Sequence, residues 1–350
     1  MRRKKQITLH HVAAELGLTI HTVSKALRGL PGMSETTRRD VFAAAERLGY
    51  KTKEKELSLG YEKTPMLSSK RRRFCMVLTH DTPFFRIQLQ GIQDRLLELG
   101  HSVSASFMPS SIDSQQQFEQ WVEQIELHYY DGIFIPATIP DLPEQLLLQL
   151  PIPKVLINFP PVLANVDSVI WDVVTAIHQS VDYLAAMGHR RILYIGNIHT
   201  YRGFQLRWQA FQDAMNGMGM SAEPELHLTE DDLDHELWIS RLQEKLLHGN
   251  YTALLSAVEN NLPRVLYTVQ AMNRSIPDHY SLISLENSGK NPLFPQLSRP
   301  TLLIGETGSR AAERMLWRIA NPNQPYEHIR LQGTFFKGDT VRSLSNLPTI

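Results

Sequence analysis

Three apolar stripes, each preceded by a hydroxylated residue, occupy the first fifty residues and leave that segment little choice of fold. Thr8, Thr19 and Ser34 stand just before the stripes, where a side-chain oxygen accepts from amides that a first helical turn leaves unpaired. Leu9, Val12, Ala13 and Leu16 recur at spacings of three and four, as do Val23, Ala26 and Leu27, and then Val41, Ala44, Ala45 and Leu48. This spacing predicts three short helices whose apolar faces close on one another. Gly17 falls between the first two, where a tight turn admits no side chain, and the result is helix-turn-helix spacing.

If Val23, Ala26 and Leu27 point inward, then Ile20, His21, Ser24, Lys25 and Arg28 point outward. One apolar contact, one imidazole and two cations at the start and middle of a helix suit the major groove of DNA. Thr19, Thr22 and Ser24 can donate to phosphates, as can the amides at the helix N-terminus. A plain three-helix bundle whose polar residues only face water is the other reading of these residues. Charge favours the first. The chain has 36 basic and 36 acidic side chains, yet residues 1–73 hold 17 basic against 7 acidic, so the remaining chain is acidic by the same surplus. A basic head on an acidic body presents one end to phosphate.

The run T-L-x-x-V-A-x-x-x-G-L-T-x-x-T-V-S-K-A-L, followed by M-S-E-T-T-R-R-D-V-F-A-A-A-E-R-L-G-Y, resembles the DNA-binding domain of the lactose-repressor (LacI/GalR) family. The resemblance implies that Ile20, His21 and Lys25 read base edges. It places Thr8, Thr19, Thr22, Ser24, Arg28, Ser34 and Thr37 against the sugar-phosphate backbone. The implied partner is double-stranded operator DNA, bound by a homodimer with one head on each half-site.

Residues 51–73 read as a hinge or linker between a head of residues 1–50 and a core of residues 74–350. Thr52 to Gly60 is a short helix candidate, followed by polar, Pro-containing chain. In the resembled family a hinge helix here wedges a leucine into the minor groove, and Leu59 stands at the matching place. The family's usual Pro-Asn entry is Thr52-Lys53 in this chain, and Glu56 replaces a small residue. Lys70-Arg71-Arg72-Arg73 is either a set of phosphate contacts or a solvated join to the next domain.

From Phe74 onward, apolar runs alternate with helical periodicity. Strands are expected at Phe74–Leu78, Gly132–Ile135, Val155–Ile157, Ile192–Ile195, Ala253–Ser256, Leu282–Leu285 and Thr301–Ile304. Helices are expected over Ala176–Met187, Gln205–Met215 and Ser309–Ala320. Strands apolar throughout argue for parallel sheets covered on both faces, and the length suits two lobes. The resemblance continues in Thr82-Pro83-Phe84-Phe85, Gln90-Gly91-Ile92, Asp131-Gly132-Ile133, Met187-Gly188-His189-Arg190-Arg191-Ile192 and Lys337-Gly338-Asp339-Thr340. It implies a two-lobed, periplasmic-binding-protein-like core: lobe 1 about 74–172 and 299–330, lobe 2 about 173–298 and 331–350, with crossings near Asp172, Ser298 and Leu331. The expected fold class is therefore α + α/β, with a helix-turn-helix head, a hinge and a two-lobed α/β core.

The implied effector pocket lies in the cleft and takes in Phe84, Phe85, Arg207, Glu259 and Glu286. Phe84 and Phe85 are either ligand-enclosing rings or core aromatics, and Arg207 is either a pocket arginine or a surface arginine. Val258-Glu259 stands where the family usually has Asn-Asp, and Ser284-Leu285-Glu286 where it usually has Gly-Phe-Asp. The groups that hold sugar hydroxyls in relatives are altered, so the effector is not an ordinary sugar, or there is none.

Other chemistry is set aside. His235-Glu236 begins like a zinc-protease helix, but position 239 is Ile. Gly217-Met218-Gly219-Met220-Ser221-Ala222 matches a dinucleotide fingerprint letter by letter, yet it follows a helix instead of a strand. No catalytic residue, metal or cofactor is expected. One Cys, no signal peptide after Met1-Arg2-Arg3-Lys4-Lys5 and no membrane-length apolar run fit the cytoplasm. The expected function is a transcriptional regulator with an effector cleft. Its competitors are a regulator without a small-molecule ligand and, more remotely, an α/β enzyme fused to a DNA-binding head.

Overall fold

The computed structural model describes residues 8–27, 33–48, 50, 71–230, 234–286 and 295–344. Arg28, the expected hinge helix, Leu59 and the rest of 51–70 lie outside the described residues. The chain forms two compact units, Met1–Thr64 and Pro65–Ile350.

In the first unit the three stripes become α1 (Leu9–Leu16), α2 (Ile20–Leu27) and α3 (Glu35–Leu48). Val12, Ala13, Val23, Ala26, Val41, Ala44 and Ala45 form its buried core. Gly17 closes α1 in the left-handed region at φ 60°, which lets the Leu18 N–H donate to the Ala13 carbonyl at 3.0 Å. Two caps are made by the expected oxygens: Thr22 N–H donates to Thr19 Oγ1 and Thr37 N–H to Ser34 Oγ, each at 3.1 Å. At Thr8 the bond runs the other way. Its N–H donates to Nδ1 of His11 at 3.0 Å.

The second unit opens with β1 (Arg73–Leu78), α4 (Pro83–Glu98), β2 (Ser102–Phe107), α5 (Gln115–Gln124), β3 (Gly132–Pro136), α6 (Asp141–Gln149), β4 (Lys154–Ile157) and β5 (Asp167–Trp171). It continues through α7 (Val173–Ala186), β6 (Ile192–Ile195), α8 (Arg202–Gly217), α9 (His235–His248), β7 (Ala253–Ser256), α10 (Leu262–Ala271) and β8 (Ser281–Ser284). The chain then returns through β9 (Arg299–Pro300), α11 (Ile304–Ala320), β10 (His328–Leu331) and β11 (Phe335–Phe336). Lobe 1 is a parallel sheet in the order β10-β5-β4-β3-β1-β2, and lobe 2 a parallel sheet β6-β7-β8.

Alternation along β1 shows why its run is apolar throughout. Phe74, Met76 and Leu78 pack with α4 and α11, while Cys75 and Val77 pack with Phe118, Trp121 and Leu147 on the other face. The sequence reading missed β2, β5 and β10. β2 is an edge strand with a half-exposed Ser-Val-Ser-Ala-Ser-Phe pattern, and β10 begins on an exposed His. The strand expected at Thr301–Ile304 is not formed. Arg299–Pro300 pairs with Phe335 and Phe336, one further bond joins the Thr301 N–H to the Thr334 carbonyl at 2.7 Å, and the apolar residues that follow turn into the start of α11, where Ile304 is buried.

Two features fix lobe 1. α4 and α11 approach backbone to backbone, since a Cβ on Gly91 would lie 2.0 Å from the Gly305 carbonyl oxygen and one on Gly308 2.2 Å from that of Gln88. At the start of β5, the fully buried Asp167 carboxylate accepts from Arg314 Nε at 2.9 Å, Arg318 Nε at 2.5 Å and the Glu327 N–H at 2.9 Å. Arg314 also lies 3.8 Å over the Trp317 ring.

Candidate nucleic-acid interface and ligand cleft

In the head, the core is made by Val23 and Ala26, so the opposite face of α2 carries Ile20, His21, Ser24 and Lys25. Ile20 and His21 are exposed, and Lys25 and Ser24 are half-buried. Thr19 Oγ1 stands 2.9 Å from Thr22 Oγ1, and Ser34 Oγ lies 2.7 Å from Thr37 Oγ1. Hydroxyls therefore cluster at the amino ends of α2 and α3, where free amides and the helix dipole favour an anion.

Side chains of both lobes share one apolar cluster, and the expected cleft lies along this seam. Phe84 enters it from the first turn of α4, whose cap is the Phe85 N–H donating to Thr82 Oγ1 at 3.2 Å. Its ring meets Trp171 edge-on at 5.3 Å and touches the apolar clusters of both lobes. Phe85 points the other way, into the lobe 1 core with Phe74, Met76 and Ile92, and is 2% exposed. Of the two readings offered for this pair, the core one describes Phe85.

Arg207 is not a surface arginine. Placed on α8 beside Trp208 and Phe211, it is 8% exposed, donates from Nη1 to the Ala257 carbonyl at 2.6 Å and stacks 5.1 Å over Phe204. Burial pulls its pKa down, opposed by the neighbouring Tyr194 phenol. Among the described residues its Nε has no partner, and neither do Trp171 Nε1, Tyr194 Oη and Ser284 Oγ, all buried. Glu259 is half-buried at the start of a single turn before α10, and Glu286 is buried just beyond β8.

Sequence reasoning missed two further parts of the cleft. Trp171 ends β5 and Phe159 follows β4, yet both pack among the side chains of lobe 2, with the Phe159 ring 3.6 Å from where a Cβ on Gly203 would sit. The second is a bidentate pair: Arg202, in the first turn of α8, donates to Glu144 of α6 at 2.9 and 2.6 Å and from Nε to the Phe159 carbonyl at 2.7 Å. This clasp joins the lobes. Trp171 was legible as the aromatic end of an apolar run, but no spacing announces a pair 58 residues apart.

Behind Arg207, His227 extends the lobe 2 sheet with its side chain. Its Nδ1 accepts the Tyr194 N–H at 3.1 Å, while the Leu228 N–H donates to the Tyr194 carbonyl at 3.0 Å. An acceptor Nδ1 fixes the neutral Nε2–H tautomer, and burial lowers the pKa to about 4. Among the described residues no group of three or more His, Cys, Asp or Glu side chains is placed to hold a metal ion, and no helix is long and apolar enough to cross a membrane.

A helix-turn-helix head joined to a two-lobed parallel α/β core with a cleft defines the class of DNA-binding, ligand-responsive transcriptional regulators. Residues 8–53 match the family of bacterial regulatory proteins, lacI family; residues 73–249 match the periplasmic binding proteins and sugar binding domain of LacI family; and residues 181–341 match a periplasmic binding protein-like domain. The chain belongs to the LacI family of transcriptional regulators. It is 22% identical over 321 residues to catabolite control protein A of Priestia megaterium, spanning 90% of this chain and 93% of that protein. It is 21% identical over 342 residues to the HTH-type transcriptional repressor PurR of Mannheimia succiniciproducens, spanning 97% of this chain and 99% of that one. Its fold matches the lac repressor dimer bound to operator and the anti-inducer ONPF with a TM-score of 0.66 at 16% identity, over 97% of this chain and 100% of the other.

Proposed function

We propose that this chain is a homodimeric, cytoplasmic repressor that binds a pseudo-palindromic operator, one head per half-site, and answers to a small molecule in its cleft. The observation that carries the reading is the face of α2 with exposed Ile20 and His21 and half-buried Lys25, turned away from the buried Val23 and Ala26. In this reading Ile20, His21 and Lys25 touch base edges, and Thr8, Thr19, Thr22, Ser24, Arg28, Ser34 and Thr37 approach phosphates. The domain limits that go with it are residues 1–50 for the head, 51–73 for the hinge and 74–350 for the core. Leu59 is the hinge residue assigned to the minor groove. Phe84, Arg207, Glu259 and Glu286 are assigned to the effector cleft, and Phe85 supports that wall from behind. An effector with different affinity for two lobe arrangements shifts the population of the operator-binding form. No catalytic step belongs to this reading.

A regulator that needs no small molecule is favoured by one observation: Phe159 and Trp171 already pack across the cleft, and Arg202 clasps Glu144. Selection of bound sites from random duplex DNA with the full chain tests the main reading. A palindrome whose affinity falls steeply with salt is expected. His21→Ala then relaxes preference at a single base position, at about 1–3 kcal/mol per lost contact, whereas Thr8→Ala weakens all duplexes alike. Equal loss on operator and random DNA for His21→Ala would remove its base-reading role.

A further inference from the structure

Where the chain from the head enters the core, one buried imidazole holds its backbone. The carbonyl of Arg72, the residue before β1, accepts from the Ser102 N–H at 3.1 Å, so the β1–β2 ladder runs one residue past the strand. The Arg72 N–H is taken by a side chain instead, and donates to Nδ1 of His101 at 3.2 Å. His101 is 3% exposed, its own N–H donates to the Leu96 carbonyl of α4 at 2.8 Å, and its ring meets Phe74 edge-on at 6.2 Å. Nδ1 accepts only while it carries no proton, so the bond fixes the neutral Nε2–H form.

The surroundings oppose a proton there. Arg72 donates from Nη1 to Asp131 at 3.2 Å, and the same carboxylate takes the Arg73 N–H at 2.9 Å, while the Arg73 guanidinium lies 5.5 Å over Tyr130. Two arginines of the basic run at this join are thus turned onto the core. Burial, and then the Arg72 cation, hold the His101 pKa below the ordinary 6.5, and the Asp131 carboxylate pulls it the other way. α4 contributes a peptide carbonyl to the His101 backbone and β1 contributes the Phe74 ring, so among the described residues Arg72 and Asp131 are the charged groups that act on this imidazole.

We infer that His101 is a proton-operated catch: neutral, it fixes where the chain to the head leaves the core, and protonated, it lets that chain go and weakens the dimer's hold on its operator. A proton on Nδ1 removes the acceptor for the Arg72 N–H and sets a second cation beside the Arg72 guanidinium. The held junction therefore refuses a proton that the released junction takes, so the catch holds above about pH 6.5 and loosens as pH falls below it. Two heads of one dimer share an operator, and each released junction gives its head more positions to lose on binding. The inference rests on operator binding by the heads and does not depend on a ligand in the cleft.

Hydrogen exchange and operator titrations of the full chain at about pH 7.5 and about pH 5.5, with exchange corrected for the intrinsic effect of pH, test the catch. His101→Asn keeps an oxygen acceptor close to the place of Nδ1 and does not titrate. In the wild type the Arg72 amide should lose protection at the lower pH while that of Ile133, bonded to the Pro153 carbonyl in β3, keeps it. In His101→Asn the Arg72 amide should stay protected at both. Operator affinity of the wild type should fall relative to the variant by about three- to tenfold per junction, about tenfold being the ceiling at this pH for an imidazole that titrates near 6.5 once released. Comparison at equal pH cancels the titration of His10, His11 and His21 in the head, which both proteins carry. If His101→Asn does not fold, His101→Gln and the wild-type Arg72 amide carry the comparison. An Arg72 amide equally protected at both pH values overturns the catch, and so does an affinity loss of the same size in wild type and variant. Absence of operator binding at both pH values would fall on the operator reading, and the Arg72 amide would then decide the catch alone.

Discussion

His227 does with an imidazole what a strand does with a peptide carbonyl, and the substitution makes the lobe 2 sheet acid-labile. Its pKa in the folded chain, about 4, lies below the ordinary 6.5. Between those values the unfolded chain takes up a proton that the folded chain refuses, so stability falls as pH drops from about 6.5 towards 4 and loses no more below that. The full loss from this group is about 3 kcal/mol. His189 and His101, whose pKa values burial also lowers, act in the same direction. Urea unfolding near pH 7 and near pH 5 should differ by about 2 kcal/mol from His227 alone. His227→Asn, which offers an oxygen acceptor and does not titrate, should flatten that difference. An unchanged slope in the variant would assign the acid sensitivity to other groups. Nothing in the sequence around His227 announces this role, because the bond depends on where a strand 33 residues earlier comes to lie. The exposed face of α2 was legible for the opposite reason: helical periodicity alone fixes which of its side chains are buried.

At the scale of elements, α4 and α11 meet backbone on backbone. Gly91→Ala would drive a methyl into the Gly305 carbonyl and force α4 and α11 apart, at a cost of about 2–3 kcal/mol. Gly217→Ala, at the end of α8 with nothing within 4 Å of the new Cβ, should be neutral or slightly stabilising. A shared urea midpoint for the two variants would refute the close approach. Glycine spacing on α4 was visible in the chain, but its meaning depends on a partner helix more than 200 residues later. Strands buried on both faces, such as β1, β3 and β7, could be read from their apolar runs. The edge strands β2 and β10 could not, since one face of each meets solvent and their patterns resemble loops. Thr301–Ile304 failed for a related reason, as a short apolar run reads alike whether it enters a strand or the first turn of a buried helix.

For the whole core, the question is what holds the lobes against each other. Glu144 is almost fully buried and Arg202 about a quarter exposed, so the pair is intermediate between a surface bridge and a buried one. Arg202→Ala would leave a buried carboxylate unpaired and should destabilise the joined lobes by about 2 kcal/mol. Hydrogen exchange should rise at the first turn of α8 and around Phe159 while β1 and β3 stay protected. Replacing both partners with leucine should recover part of the loss, and failure of that double variant to recover would show that the pair contributes through its neighbours and not through charge. A different constraint follows from Asp167. One carboxylate serves two arginines and a peptide N–H, so losing it leaves Arg318 with backbone carbonyls alone, although Arg314 keeps Glu327 at 2.8 Å, while losing either arginine still leaves the carboxylate a partner. Descent should therefore be lopsided at this site: lineages can try alternatives at 314 or 318 one at a time, but position 167 can change only after Arg318 has already been replaced.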